Sequence, residues 1–308
     1  MRVFRSVEGL PEFKNGVLTI GTFDGVHLGH QEIIKRINQE AAAIGGESII
    51  VTFHPHPRLV VNPNDTSLKL LNTLEEKIAL LERFGVDNLI VAPFSIEFSK
   101  LTAREYVEDF LWKNVRPKKV VIGYDHRFGN NREGGLELFL EMGKELGFEV
   151  EEIAKQMVDD LAVSSTKVRT ALQNGDVVQA NHLLGYEYSL HGTVVEGHQM
   201  GRKLGYPTAN IQPNNPNKLI PSKGVYAVRV KLEGQLYPAM MNIGDNPTFE
   251  GRKASIEANL FDFDRDIYGM ELDVTFVQRL RSELKFDNID ALIKQMADDE
   301  KVSRKLLY

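Results

Sequence analysis

Gly16-Val17-Leu18-Thr19-Ile20-Gly21-Thr22-Phe23-Asp24-Gly25-Val26-His27-Leu28-Gly29-His30 begins as an apolar strand, turns at Gly21 and Gly25, and opens a helix. The helix is expected from Gly29 to Ile44, with Ile33, Ile37, Ala41 and Ile44 at helical spacing and Gly45-Gly46 as its stop. A fully apolar strand followed at once by an amphipathic helix is how a parallel sheet covered on both faces starts. The turn between them is a candidate phosphate site. Such sheets bind ligands at the carboxyl ends of their strands, and a helix amino end offers free N–H groups and a positive dipole. His27 and His30 lie three apart on that helix start, where two imidazoles can hydrogen-bond phosphate oxygens. Gly29 between them lets a triphosphate approach the backbone. A zinc site is the weaker alternative, because no third ligand stands at an obvious spacing.

Outward from this stretch the α/β rhythm continues to about residue 183. Further strands are expected at 48–53, 89–92 and 120–123. Helices open at two capping boxes, Thr73 with Glu76 and Thr102 with Glu105. After Leu184 the apolar residues alternate instead, as in Tyr226, Val228 and Val230 against Arg229 and Lys231, or Leu272, Val274 and Phe276 against Asp273 and Thr275. Turns are expected at Gly234, Gly244, Gly251 and Gly269, and one late helix near Ile289–Met296. Short half-buried strands of this kind make an antiparallel barrel or sandwich. Two domains are expected, 1–183 and 184–308.

The chain has 308 residues, 42% of them hydrophobic and 26% charged, which suits globular cores and excludes a largely disordered chain. It has no cysteine, so thiol nucleophiles, zinc–thiolate sites and disulfides are excluded. A net charge of −6 argues against broad nucleic-acid binding. No stretch approaches the roughly 20 apolar residues that span a bilayer, and a cytoplasmic location is expected.

Other constellations follow the same strand ends. Phe53-His54-Pro55-His56-Pro57 is a rigid loop with exposed histidines or a substrate contact. Gly123-Tyr124-Asp125-His126-Arg127-Phe128-Gly129 offers Asp125 and Arg127 to ribose or phosphate. Ser164-Ser165-Thr166-Lys167-Val168-Arg169 reads alone as an N-cap with a basic turn; beside the histidine motif it suits a triphosphate or a departing pyrophosphate. In the second half, Gly197 through Gly201-Arg202-Lys203-Leu204-Gly205-Tyr206-Pro207-Thr208-Ala209-Asn210 supplies glycines, cations and two oxygen-bearing side chains. Thr208 and Asn210 are two apart, so in a strand both point to one side and can share a Mg²⁺ that keeps its other positions for water and phosphates.

H-x-G-H with a downstream S-S-T-x-x-R resembles the nucleotidyltransferase superfamily, and the full set with F-H-P-H-P resembles the adenylyltransferase module of bacterial FAD synthetase. The motif 192–210 resembles riboflavin kinase, together with Gly224-Val225-Tyr226, Met241 to Phe249, Glu257, Asp262 to Asp264, Tyr268-Gly269 and Leu280 to Phe286. The resemblance implies a Rossmann-like α/β nucleotidyltransferase domain followed by a six-stranded antiparallel β-barrel with a terminal helix. It implies a bifunctional enzyme making FMN from riboflavin and ATP, then FAD and pyrophosphate from FMN and ATP.

By that resemblance ATP contacts Gly21, Phe23, Asp24, Gly29, Ser164, Ser165, Thr166 and Arg169 in the first half, where His27 and His30 are catalytic. In the second half ATP contacts Gly201, Arg202, Gly205 and Pro207, Thr208 and Asn210 hold Mg²⁺–ATP, and Glu257 is the general base. Flavin contacts are expected at His56, Asp125, Arg281, Glu283 and Phe286. The chain departs from the family in having His126 where Phe is usual, and Ala258-Asn259 where Val-His is usual. Two other readings stay open: a riboflavin kinase with a weakened first module, or a flavin-responsive regulator. No nucleic-acid or membrane partner is expected.

Overall fold

The structure is a computed structural model and describes every residue except Thr66, Asp125, 154–162, 198–200, 202–204, 246–253 and the side chains of Asp245 and Ala254. Two compact units divide the chain, Met1–Ser165 and Thr166–Tyr308.

The first unit is built on six parallel strands: β1 (Arg2–Phe4), β2 (Val17–Ile20), β3 (Ser48–His54), β4 (Asn88–Pro93), β5 (Lys119–Gly123) and β6 (Glu149–Ile153). Their order is β1-β4-β3-β2-β5-β6. Successive residues face opposite ways, so the apolar runs feed two cores. Leu18, Ile49, Val51, Ile90 and Val120 pack with Phe110 and Phe139 on one face. Val17, Ile50, Leu89 and Val121 pack with Ile34, Ile37 and Leu81 on the other. Helices α1 (Leu28–Ala43), α2 (Pro57–Val61), α3 (Leu74–Arg83), α4 (103–115, π-helical over Tyr106–Trp112) and α5 (Leu136–Leu146) connect the strands. Both expected capping boxes form.

Two edge strands went unread in the sequence because an edge strand does not need a continuous apolar run. β1 is three residues long, and β6 reads Glu149-Val150-Glu151-Glu152-Ile153. Its Glu151 is matched by Arg36 from α1 and Lys119 from β5, each at 2.5 Å. From β2 the chain moves to β3 on one side and returns to β5 on the other. The carboxyl ends of β2 and β5 therefore flank the crevice where such sheets bind ligands.

The second unit begins with α6 (Ser165–Gln173) and α7 (Val177–Leu184). A closed antiparallel barrel follows, of β7 (Ser189–Val195), β8 (Ala209–Pro213), β9 (Gly224–Leu232), β10 (Gln235–Asp245), β11 (Ala254–Leu260) and β12 (Glu271–Arg281), in the order β10-β11-β8-β7-β12-β9. The packing boundary thus falls ahead of the expected division at 183/184. The physical reason is in α7: Asn181 donates to the Phe276 carbonyl (2.9 Å) and accepts from the Tyr188 amide (2.7 Å), pinning the helix to the barrel.

The alternation read in the sequence fills the barrel: Tyr226, Val228, Val230, Val274 and Phe276 are fully buried. Glu233-Gly234 is a tight turn with both residues in the left-handed region. Gly244 is not a turn residue; it lies inside β10, where a Cβ would collide with Glu283 Oε1. Gly251 lies outside the described residues.

The last helix, α8 (Ile289–Leu307), runs eleven residues beyond the expected Met296. Its buried face continues through Asp299 and Ser303, polar residues that break the apolar period. Asp299 is buried because Arg281 binds both of its carboxylate oxygens, at 2.7 to 3.1 Å. Breaking a buried ion pair by removing one partner costs about 3–5 kcal/mol. Arg281 keeps some solvent contact, so Asp299→Ala is expected to destabilise the barrel unit by about 2–3 kcal/mol, read as a lower urea midpoint for its unfolding transition.

Candidate functional site

In the first unit the turn after β2 is tightly bent. Phe23 (φ 47°) and the β-branched Val26 (φ 36°) both sit in the left-handed region, a strained arrangement for such side chains. It is held from several sides. The Gly21 amide donates to Val51 O (3.0 Å), the Val26 amide to Phe23 O (3.2 Å), and Gln31 Nε2 to Val26 O (2.8 Å).

His27 is the N-cap of α1, its Nδ1 accepting from the His30 amide (3.4 Å), and the two imidazoles stack at 3.7 Å. The His30 ring also packs on Phe23 (5.1 Å), and its Nδ1 is shielded from solvent with no hydrogen-bond partner among the described residues. Burial, then the neighbouring His27, then the Lys77 charge hold the His30 pKa well below the usual histidine value, so the ring is neutral at pH 7. Gly29 has a packing reason beyond ligand approach: a Cβ there would press within 3.3 Å of both the His27 ring and Val163.

The structure brings the distant serine motif to this turn, Ser165 Oγ donating to the Asp24 carbonyl (2.8 Å). Asp24 is buried, and its carboxylate accepts from the amides of Leu71 (3.0 Å) and Asn72 (3.3 Å), so the side chain anchors the loop before α3. Thr166 and Arg169 follow on α6, the first exposed and the second half-buried, and belong to the second compact unit. His56 caps α2, its Nδ1 accepting from the Arg58 amide (3.2 Å). His126 stacks against Phe128 (5.7 Å) and Phe139 (6.1 Å), as an aromatic ring in its place would. Asp125 lies outside the described residues.

In the second unit three expected residues meet on the outer face of the barrel. Glu257 on β11 pairs directly opposite Asn210 on β8, and Thr208 Oγ1 donates to Glu257 Oε2 (3.2 Å). All three are half-buried, while their strand neighbours Ile256, Ala258 and Ala209 point into the barrel. Gly197 lies so close to Asn210 that a Cβ would fall within its side chain, and a Cβ on Gly201 would overlap the Tyr206 carbonyl. Both glycines are required by close backbone approach. Gly205 sits in an open left-handed turn, and Pro207 is exposed with its carbonyl taking a bond from Asn259 Nδ2 (2.7 Å). Arg202 lies outside the described residues.

Glu283 reaches over Gly244 toward Asn242, which pairs opposite Glu257 on its other side. Arg281 is committed to Asp299 and to the Ser282 carbonyl (3.0 Å), with Phe286 5.9 Å from its guanidinium. Its first task is therefore to dock α8.

Two residues of these surroundings were not singled out from the sequence: Thr52 and Lys77. Lys77 carried a signal, since Leu74, Lys77 and Leu81 form one helix face and all are buried. Asn242 and Asn259 stood in the motifs that carry the resemblance, but only the folded chain shows that they adjoin Glu257 and Pro207.

Residues 10–167 match the FAD synthetase family and residues 184–307 the riboflavin kinase family. A nucleotidyltransferase-type sheet and a flavokinase barrel are thus joined in one polypeptide. Curated proteins named bifunctional riboflavin kinase/FMN adenylyltransferase are similar over nearly their whole length. That of Listeria monocytogenes is 39% identical, covering 94% of this chain and 92% of the relative. That of Bacillus subtilis is 37% identical over the same shares, and that of Escherichia coli K12 is 35% identical over 99% and 97%. A crystal structure from Streptococcus pneumoniae described as a macrolide-efflux protein superposes with a TM-score of 0.86 at 33% identity, covering 98% of both chains. Among the described residues no helix is long and apolar enough to cross a membrane. The chain belongs to the bifunctional riboflavin kinase/FMN adenylyltransferase family, and both ATP-using domains of that family are present.

The His30 pKa sets a stability prediction. Its folded value lies below the usual 6.5, so between the two values the unfolded chain binds the extra proton. His30 therefore costs no stability at pH 7 and destabilises as pH falls below 6.5. The melting temperature of the first unit is expected to drop less between pH 7 and pH 5 in His30→Gln than in the unaltered chain, as read by calorimetry.

Proposed function

We propose that the two activities are housed separately, AMP transfer at the His27–His30 turn and riboflavin phosphorylation at the Thr208–Asn210–Glu257 face. The observation that carries this reading is that each compact unit assembles its own set of reactive side chains at a strand end or strand pair of its own.

For the kinase step, Glu257 takes the proton from the riboflavin 5′-hydroxyl as the oxygen attacks the γ-phosphorus of ATP. The new O–P bond forms as the bond to ADP breaks. A primary alcohol is a weak nucleophile, so a positioned carboxylate accelerates the step by about 10²–10⁴-fold. Thr208 and Asn210 fit a Mg²⁺ ion that keeps most of its shell for water and phosphate. Both are hard oxygen donors on one face, and the Thr208 hydroxyl, whose hydrogen is given to Glu257, retains lone pairs for a cation. When bound, the ion neutralises phosphate charge. Gly201, Gly205 and Pro207 line the approach of ATP. Glu283 and Phe286 adjoin the riboflavin side of the site, and Arg281, at the end of β12, ties the start of that segment to α8 through Asp299.

For the second step, a phosphate oxygen of FMN attacks the α-phosphorus of ATP and pyrophosphate leaves. FMN phosphate is already ionised, so no base is needed; what the step needs is stabilisation of the charge gathering on the attacked phosphorus. The stacked imidazoles at the amino end of α1 supply it, and the shielded Nδ1 of His30 has no hydrogen-bond partner among the described residues. Ser164 and Ser165 act on the departing pyrophosphate, with Gly21, Phe23 and Asp24 shaping the turn against ATP. His56 contacts FMN. A cytoplasmic setting goes with these ATP-dependent steps.

Incubating the full chain with riboflavin, ATP and Mg²⁺ is expected to give FMN and then FAD on chromatography. His30→Ala stops FAD formation and leaves FMN formation intact. Glu257→Ala does the reverse when FMN is supplied, lowering the kinase rate by about 10²–10⁴-fold. Loss of both activities in either folded variant overturns the two-site reading.

A further inference from the structure

Lys77 is a charged residue inside the first unit, only 6% exposed, on the inward face of α3. Among the described residues no acidic side chain forms an ion pair with it. Its Nζ instead donates to the Thr22 carbonyl (2.6 Å) and to Thr52 Oγ1 (3.4 Å), and Thr52 Oγ1 donates in turn to that same carbonyl (3.2 Å). Burying an ammonium costs several kcal/mol unless something is gained from it. A lysine kept solely for packing is readily replaced by an apolar side chain of similar length.

The group it grips is informative. The Thr22 carbonyl lies one residue before Phe23, where the left-handed, strained turn begins, and that turn delivers His27 and the amino end of α1. A carbonyl held by two donors cannot rotate, so the peptide planes that follow are fixed against their strain. The ammonium also places a positive charge beneath the turn.

We propose that Lys77 is a positioning residue of the adenylyl-transfer centre, its buried ammonium clamping the Thr22 carbonyl and thereby the turn that presents His27 and His30. The proposal rests on the assignment of AMP transfer to that turn.

Charged and titratable groups face Lys77 from each element around it: Asp24 from the turn after β2, His30 from α1 and His54 from the end of β3. Burial pushes the Lys77 pKa down to about 8, Asp24 opposing the shift. Burial and the Lys77 charge lower both histidines, which are neutral throughout the alkaline range. The chain has no cysteine, so no thiol titrates there.

Lys77 then loses its proton near pH 8, and the charge-assisted grip on Thr22 weakens. Stability moves the other way. Between about 8 and the ordinary lysine value of 10.5 the unfolded chain holds the extra proton, so this group's contribution to stability rises with pH. An alkaline loss of activity from Lys77 is therefore separable from unfolding.

The test is Lys77→Met in the full chain. The kcat for FAD formation from FMN is expected to fall about 10–100-fold, the range for losing a group that orients catalytic ones. The KM for FMN stays within about threefold and riboflavin phosphorylation within about twofold. The unaltered chain is expected to lose AMP-transfer kcat above about pH 8, and the variant to lack that limb. A folded variant keeping more than half of the kcat overturns the proposal. If the variant does not fold, a wild-type kcat flat from pH 7 to about 9.5 overturns it instead. His30→Ala run in parallel separates the two failures. If His30→Ala keeps full AMP transfer, the site assignment falls; if it loses AMP transfer while Lys77→Met does not, only the clamp falls.

Discussion

Strand register is the constraint on which both centres depend. In the barrel, Asn210, Glu257 and Asn242 stand directly opposite one another on three adjacent strands, β8, β11 and β10. Side chains along a strand alternate faces, so a slip of one residue in β11 would turn Glu257 into the core and expose Ile256 or Ala258. The apolar filling of the barrel and the placement of the carboxylate are the same structural decision. The buried Ile256 and Ala258 on either side of Glu257 hold it outward beside Thr208.

The first unit meets an equivalent constraint at the end of a strand. β2 is hydrogen-bonded to β3 and β5, and its last apolar residue, Ile20, is buried. The chain must leave the sheet there and enter α1 within eight residues (Gly21–Leu28), as the helix begins at Leu28. The short distance produces the left-handed Phe23 and Val26 and sets the amino end of α1 directly after the carboxyl end of β2. Strain of this kind persists only where the surroundings over-determine it. The surroundings here are the Gly21–Val51 and Gln31–Val26 bonds, the anchored Asp24 carboxylate and the doubly gripped Thr22 carbonyl.

Burial gives the two centres different electrostatic character. The His27–His30 pair is stacked and shielded, so His30 stays neutral until an anion arrives to favour its protonated form. Glu257 is half-buried on the barrel's outer face and shares its hydrogen bond with a hydroxyl. For the proposed roles, a shielded His30 beside a helix amino end suits the reception of polyphosphate, and an accessible carboxylate suits removal of a proton from an alcohol. His126 keeps aromatic packing in place there, because the imidazole stacks on Phe128 and packs at a tilt against Phe139.

Much of this was legible in the sequence where a local pattern carried it. Continuous apolar strands gave the parallel sheet, alternation gave the barrel, and H-x-G-H after a strand marked the turn. Both capping boxes, at Thr73 and Thr102, lay where spacing put them. The edge strands β1 and β6 and the second half of α8 were hidden, since solvent or an ion pair such as Arg281–Asp299 replaces apolar residues there. Tertiary structure alone decided that Ser165 reaches Asp24, that Asn242 adjoins Glu257 and that Lys77 grips Thr22. These contacts join residues 15 to 141 apart in sequence, in different strands, turns and helices. No local periodicity encodes them, because they arise only when separately formed elements pack and their buried polar groups must find partners.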